Sequence, residues 1–312
     1  MTMPPPKSAK TVSQPRPPKP RRPLSKLNSA MPCDTAFRIV ASRYLDDLSA
    51  NHESTCKGDV EALHQMRIAL THLRAAILFF SPMVDDPVGG QIRNDLKWLN
   101  SELGALRDLD VVIEGIKAAN HRRPQTIPHL EAWQDKRKDA QRALSRSLRS
   151  AKYRSLIERT SGWIASGRWA TTRNKRAAKR RAALITPYSA DRLATWEEEL
   201  LKKSRKLRKM GARKRHRLRL LNKRLNYSIE SVAELFDDKR LSKQKTAMKH
   251  LRRAQRSLGQ LNDAVRGRAL ARELRREGIK ARPHVIGAKR EKKMLRSAKL
   301  AYRKLAALKP WK

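Results

Sequence analysis

The chain has 312 residues, of which 73 are lysine or arginine and 29 are aspartate or glutamate, for a formal net charge of +44. This length is enough for two packed units of about 130 residues each, so a core can form. With 39% hydrophobic but 5% aromatic residues, the composition favours helices over sheets, and we predict an all-α fold. A positive potential this large attracts polyanions or anionic surfaces.

Membrane and secreted classes are disfavoured by the sequence. We find no apolar run near the length of about 20 residues that a spanning helix needs, and the proline-rich start lacks the apolar core of a signal peptide. Cys33 and Cys56 show no metal or redox spacing, and so few thiols are typical of a reducing compartment. We therefore expect a cytoplasmic protein without a membrane span, a metal site or a cofactor.

The first 32 residues have the composition of a tail. They contain nine prolines, seven lysines or arginines and no acidic residue. Such a segment cannot bury enough apolar surface to offset its chain entropy. Residues 1–32 are predicted to be disordered.

Eight helices are predicted between the remaining prolines. Their ranges are 35–50, 59–81, 91–119, 129–165, 190–209, 213–236, 241–277 and 288–307. This gives a first half over 33–165, a linker or mobile loop over 166–189 and a second half over 190–306. The linker carries a basic run at 168–181 whose interpretation is open between an extra anion contact and a solvated charge run.

The two halves differ in charge. Residues 31–160 hold 20 basic and 17 acidic residues, a net of +3, whereas residues 161–312 hold 46 and 12, a net of +34. We therefore expect the second half to contribute more of the affinity for a polyanion.

One unusual helix is written twice. Its polar stripe reads His64, Arg67, Thr71, Arg74 in the first copy and His216, Arg219, Lys223, Asn226 in the second, with leucines turned away from it. Each copy is followed by a Leu-Gly-x-x-x-Asp motif, at 103–108 and 258–263, with 40 residues from His64 to Gly104 and 43 from His216 to Gly259. This order predicts two similar halves around a shared site.

These paired His-x-x-Arg helices with their Leu-Gly-x-x-x-Asp turns resemble the conserved histidine α-helical domain, CHAD, over about residues 33–306. The resemblance implies two four-helix bundles related by a pseudo-twofold axis, with the His-bearing helices facing a basic central cavity that binds inorganic polyphosphate. This sequence departs from the family pattern at Thr71, His72 and Asn226. The Glu-x-Glu-x-Lys motif of a fused triphosphate-tunnel enzyme is absent, so the resemblance implies a stand-alone binding protein, not an enzyme, that associates with polyphosphate granules.

A polyphosphate chain needs a row of cationic donors, because it carries about one charge per internal phosphate. Arginine grips two phosphate oxygens with its planar fork, and lysine acts as a point charge. The predicted polyphosphate-binding residues are His64, Arg67, Arg74, Lys97, His216, Arg219, Lys223, Arg224 and Arg252. Lys97 and Arg252 are included because each stands seven residues before its motif glycine. The two histidines could instead be neutral residues held by a neighbouring carboxylate, whereas Asp108 and Asp263 are interpreted as structural.

Two other functions compete with polyphosphate binding. Non-specific nucleic-acid binding is the alternative, since a charge of +44 would also serve a phosphate backbone. Against it, aromatic residues are few and are not interleaved with the basic runs. Phosphoryl transfer through His64 or His216 lacks a general-base pair or a metal site to support it. The oligomeric state is left open by the sequence.

Overall fold

The computed structural model describes residues 26–120, 130–236, 238–276, 286–308 and 311, and within these ranges it contains helices and no β-strand. This confirms the all-α prediction. The α-helices are α1 Cys33–Ala50, α2 His52–Cys56, α3 Val60–Phe79, α4 Ser81–Val84, α5 Pro87–Asn120, α6 Leu130–Arg149, α7 Ala151–Ser166, α8 Lys175–Ala182, α9 Ile185–Ser204, α10 Ala212–Ser231, α11 Asp238–Arg276 and α12 Ala288–Leu308. Short 3-10 turns lie at 168–170, 207–209 and 233–235.

A serine cap divides one of the predicted helices into two. The helix predicted over 129–165 is two helices, α6 and α7, because the backbone at Ser150 is extended with ψ of 156°. The hydroxyl of Ser150 accepts a hydrogen bond from the amide of Tyr153 at 3.2 Å. Serine is favoured at this position because its oxygen satisfies an amide that the first helical turn leaves without a partner.

The segment predicted as a linker, 166–189, is packed into the structure. It contains α8 and the start of α9, and Trp169 within it is fully buried. The carboxylate of Asp86 accepts hydrogen bonds from the Trp169 amide at 3.0 Å and from the Trp163 indole at 3.0 Å. Pro187 lies in the first turn of α9, where a missing N–H costs nothing, so it does not mark a break as predicted.

The packed part of the chain begins earlier than predicted. Residues 1–25 of the predicted tail lie outside the described residues, but residues 26–32 of it are described. Leu27 is 5% exposed, and its amide donates to the Glu234 carboxylate at 2.9 Å. The chain therefore already packs against the 3-10 turn at 233–235 before α1 begins, and Leu27 buries apolar surface there.

The two halves share one hydrophobic core. Residues from both halves, such as Leu70 of α3 and Leu225 of α10, belong to a single continuous cluster of buried side chains. Helix α3 packs against α10, and α5 packs against α11. A smaller cluster at the far end of α5 contains Leu109, Ile113, Trp133 and Ala271. The two helices that carry the repeated motif are therefore in direct contact, while the twofold relation between the halves remains a prediction.

Within the described part of the chain, none of the helices combines the length and the apolar character needed to cross a membrane.

Candidate polyanion-binding site

The contact between α3 and α10 brings cations of both halves together. Met66 and Leu70 on α3, like Leu218 on α10, are buried in the core, which turns the neighbouring basic stripe of each helix toward the opposite helix. Arg219 thereby lies close enough to Arg67 to lower the pKa of the Arg67 guanidinium, and both arginines lower the pKa of Lys223. We call Arg67, Arg219 and Lys223, with the aspartates Asp108 and Asp263 beside them, the central cluster.

The cations of this cluster are partly buried, and two of their nitrogens have no partner. Nη1 of Arg67 and Nε of Arg219 are inaccessible to solvent and make no hydrogen bond within the described residues. Burial is the main cause that lowers the pKa of the Arg67 guanidinium; Asp108 opposes this effect, and the charges of Arg107 and Arg219 reinforce it. A guanidinium that is desolvated beside like charges is stabilised by a nearby negative charge, so this arrangement favours an anion.

Lys223 carries the largest perturbation in the cluster. Burial lowers the pKa of its ammonium from 10.5 to about 8, and repulsion from Arg219 and Arg67 adds to the effect, while Asp263 opposes it. A bound phosphate stabilises the charged form of such a lysine, because its negative charge opposes the effects of burial and of the two neighbouring arginines.

The aspartates of the repeated motif lie at the edge of the cluster. Arg266 of α11 donates to Asp108 of α5 at 3.0 Å through Nε and at 2.5 Å through Nη2, which joins the two halves. Burial raises the pKa of the Asp263 carboxyl, and the nearby Arg219 opposes that shift. The two aspartates thus neutralise part of the positive charge of the cluster. The ion pair between Arg266 and Asp108 also holds α11 against α5.

The motif glycines lie against the arginines in both halves. A Cβ placed on Gly104 would meet Nη1 of Arg67 at 3.3 Å, and a Cβ placed on Gly259 would meet Nε of Arg219 at 3.6 Å. Each glycine therefore lets the following helix approach a guanidinium closely. The same pair of residue types is in contact in each half, which is the physical reason that the two motifs recur together.

An open groove continues from the central cluster along α11. It has a volume of about 630 Å³ and begins at Arg219, Gly259 and Asp263. Four further cations line it: Lys245, Lys249, Arg252 and Arg256. Their spacing of four, three and four residues places all of them on one face of the helix.

Sequence reasoning identified one of these four groove cations, Arg252, and missed Lys245, Lys249 and Arg256. The signal was available as cations at i, i+4, i+7 and i+11 of the predicted helix over 241–277. It was hidden because the same helix is basic on its other faces as well.

Arg224 lies outside the central cluster. Its guanidinium donates to Glu199 of α9 at 2.6 Å and stacks over the ring of Trp196 at 4.1 Å. His72 occupies the equivalent place of the first copy, eight residues after the motif histidine. It lies 3.4 Å from Glu230 and packs between Tyr44 and Tyr227. In each copy, the residue eight positions after the motif histidine therefore pairs with a glutamate and packs against aromatic rings.

The two motif histidines do not line the groove. His216 is exposed, and its Nδ1 lies 2.7 Å from Oδ1 of Asn262 on α11. His64 is half-buried on α3, one turn before Arg67. His216 is therefore held by an amide next to the motif aspartate, and its ring helps to join α10 to α11.

The remaining predicted residues differ in their surroundings. Arg252 lines the groove, and its guanidinium donates to Glu230 at 2.8 Å. Arg74 is half-buried on α3, two turns beyond Arg67, and burial lowers its pKa. Lys97 is exposed on α5 and does not line the groove. In the described ranges, no group of three or more His, Cys, Asp or Glu side chains is placed to hold a metal ion.

Comparisons with known proteins agree with this architecture. The family model of the CHAD domain matches residues 39–272. This chain is similar to the crystal structure of the CHAD domain from the plant Ricinus communis, with a TM-score of 0.68 and 23% identity over 92% of this chain and 90% of that chain. It is also similar to PptA from Streptomyces chartreusis, with a TM-score of 0.58 and 14% identity over 89% of this chain and 96% of that chain. At these identities the similarity concerns the fold. A search of curated proteins found no match.

Proposed function

Because this chain belongs to the CHAD domain family, whose basic central cavity implies polyphosphate as the ligand, we propose that it binds inorganic polyphosphate at the central cluster. The observation that carries this proposal is the convergence of Arg67 from the first half with Arg219 and Lys223 from the second. Their charges are close enough to repel one another, and burial removes part of the water that would otherwise stabilise them. Phosphate oxygens supply the opposite charge that such a cluster of cations needs.

The arrangement suits a chain of phosphates better than a single phosphate. The central cluster and the groove beside it form a row of cations, from Arg67 through Arg219 to Lys245. Each exposed contact in such a row contributes little on its own. Affinity therefore grows with the number of phosphates that are bound at once, and it falls steeply as salt is added.

The test compares ligands of different length at one ionic strength. Long-chain polyphosphate, tripolyphosphate and orthophosphate are titrated into the full chain, and duplex DNA is offered as a competitor for the long chain. We expect long-chain polyphosphate to bind most tightly and to resist displacement by DNA. Equal affinity for orthophosphate and the long chain would identify a compact single-phosphate pocket, and displacement by equivalent DNA would favour nucleic-acid binding.

A matched pair of variants ties the binding to the central cluster. Arg219→Gln removes a charge that faces Arg67 and Lys223, whereas Arg303→Gln removes an exposed charge from α12 of the same half. We expect Arg219→Gln to weaken long-chain binding more than tenfold, since a hydrogen bond to a charged group contributes about 1.5–3 kcal/mol. The Arg303→Gln variant should stay within about twofold of the unchanged protein, because exposed single charges contribute about 0–1 kcal/mol.

We further propose binding without chemical turnover, with association to polyphosphate granules as its cellular use. The length distribution of polyphosphate, followed after incubation with and without nucleotide and magnesium, tests the first part. Elongation or shortening of the chains would contradict it. Imaging of the tagged protein in cells with and without polyphosphate granules tests the second part.

A further inference from the structure

We propose that a long polyphosphate chain leaves the central cluster through the second half, along the exposed face of α11, and has no equivalent path through the first half. This inference rests on the proposed function and adds a direction to it. The path runs from Arg219 and Gly259 over Arg256 and Arg252 to Lys249 and Lys245.

The first support is the continuity of the groove. Arg219 and Asp263 belong both to the central cluster and to the groove, so a chain bound at the cluster meets no barrier of packed side chains there. From Lys245 to Asp263 the helix rises about 27 Å at about 1.5 Å per residue. Lys245, Lys249, Arg252 and Arg256 are all exposed, so their charged heads can follow a flexible ligand.

The second support is the contrast with the first half. When the motif glycines Gly259 and Gly104 are aligned, the four groove cations of α11 correspond to four residues of α5: Gly90, Asn94, Lys97 and Ser101. Three of the four positions have lost their charge. The one cation that remains, Lys97, is exposed and lies outside the groove. A polyanion that leaves along this face of α5 would therefore meet one cation where the matching face of α11 offers four.

The carboxylates that face the path are few among the described residues. Glu230 accepts from Arg252 at 2.8 Å and from Asn226 at 3.0 Å, which fixes the direction of the arginine. Asp263 lies at the end of the groove that meets the central cluster. Against these two carboxylates stand the four groove cations and Arg219, so the groove keeps an excess of positive charge that matches a linear polyanion with one charge per repeat.

The experiment separates the path from the central cluster by ligand length. Lys245→Ala combined with Lys249→Ala removes the far end of the path, and Lys292→Ala combined with Lys293→Ala removes the same two charges from exposed positions on α12, away from the groove. Tripolyphosphate is too short to reach from the central cluster to Lys245. Affinity for tripolyphosphate and for long-chain polyphosphate is measured on the full chain, with folding checked by circular dichroism.

We expect the variant in α11 to lose affinity for the long chain by about three- to tenfold, as two exposed charges allow, and to keep its affinity for tripolyphosphate within about twofold. The variant in α12 should keep both affinities. Equal losses for the two ligands, or equal losses in the two variants, would overturn the proposed path. If the unchanged protein fails to bind long-chain polyphosphate, the proposed function itself is wrong. If the unchanged protein binds normally and neither double variant loses affinity, only the proposed path is wrong.

Discussion

Nη1 of Arg67 lies 3.3 Å from the point that a Cβ on Gly104 would occupy, whereas the nearest guanidinium atom of Arg219 lies 3.6 Å from the matching point on Gly259. The first separation is tighter than ordinary van der Waals contact, and the second is ordinary. The two glycines therefore stand in the same relation to their arginines, but the fit is tighter in the first half. The tightness matters because Arg67 is the cation that the first half contributes to the central cluster.

Exchange of the two glycines for alanine should have unequal effects. Gly104→Ala requires the guanidinium of Arg67 to shift by a few tenths of an ångström, and we expect the affinity for long-chain polyphosphate to fall by about threefold, since binding by a charged donor depends on its position. Gly259→Ala should change the affinity by less than about twofold, because its methyl group fits. Titration of both variants under one set of conditions provides the check. Equal losses would mean that the separation at Gly104 does not position Arg67.

Arg67→Met removes the charge and keeps most of the side-chain volume. We expect the affinity for long-chain polyphosphate to fall more than tenfold, whereas the Tm of the free protein should stay unchanged or rise, since a buried charge without a full set of partners does not stabilise a fold. Calorimetry and titration on the same preparation separate the two effects. A fall in Tm together with weaker binding would show instead that Arg67 is needed for the packing of α3.

Lys223 should make binding depend on pH. Its pKa in the free protein is lowered to about 8, and bound phosphates favour the charged form, so the pKa rises in the complex. The protein therefore takes up a proton on binding when the pH is above about 8, and the affinity falls as the pH rises through this value. Calorimetric titrations at pH 9 in two buffers of different ionisation enthalpy measure the uptake.

Lys223→Arg is the control for this effect, because arginine keeps its charge throughout the range. Its binding should show no proton uptake at pH 9 and a flatter dependence of affinity on pH. An unchanged proton uptake in Lys223→Arg would assign the linkage to another group.

In the unligated protein the lowered pKa of Lys223 has the opposite consequence for the effect of pH. Between about pH 8 and 10.5 the unfolded chain binds more protons at Lys223 than the folded one, so this group's contribution to the free energy of unfolding rises with pH.

The helices of the site and their inward faces were predictable from local pattern. Met66 and Leu218 fix which side of α3 and α10 enters the core, and the cations follow at fixed angles from them. The recurrence of the Leu-Gly-x-x-x-Asp motif also indicated that the two helices lie together, and α3 and α10 are in contact. These inferences depend on spacing within a single helix, which a sequence states directly.

What the sequence could not supply were partners on other helices. Arg224 follows Lys223 directly, yet about 100° of rotation turns it toward Trp196 and Glu199 of α9. His216 likewise meets Asn262 of α11. Both assignments depend on how whole helices pack, and in a chain this basic the charge pattern alone does not separate a cation that binds a ligand from one that packs.

The surroundings of Arg224 lead to a prediction that separates it from its neighbours in the motif. Its guanidinium stacks on Trp196 and donates to Glu199, so Arg224→Ala removes a packing contact and leaves a carboxylate without that partner. We expect the Tm to fall by several degrees, since about 1 kcal/mol shifts the Tm of a domain of this size by about 2–4 °C, while the affinity for long-chain polyphosphate changes by less than about threefold. Arg224→Lys should lose part of the stability as well, because an ammonium lacks the planar face that stacks on the indole. Thermal melts and titrations of both variants test this prediction. A tenfold loss of affinity at an unchanged Tm would mean that Arg224 binds polyphosphate directly and that its pairing with Glu199 breaks when the ligand binds.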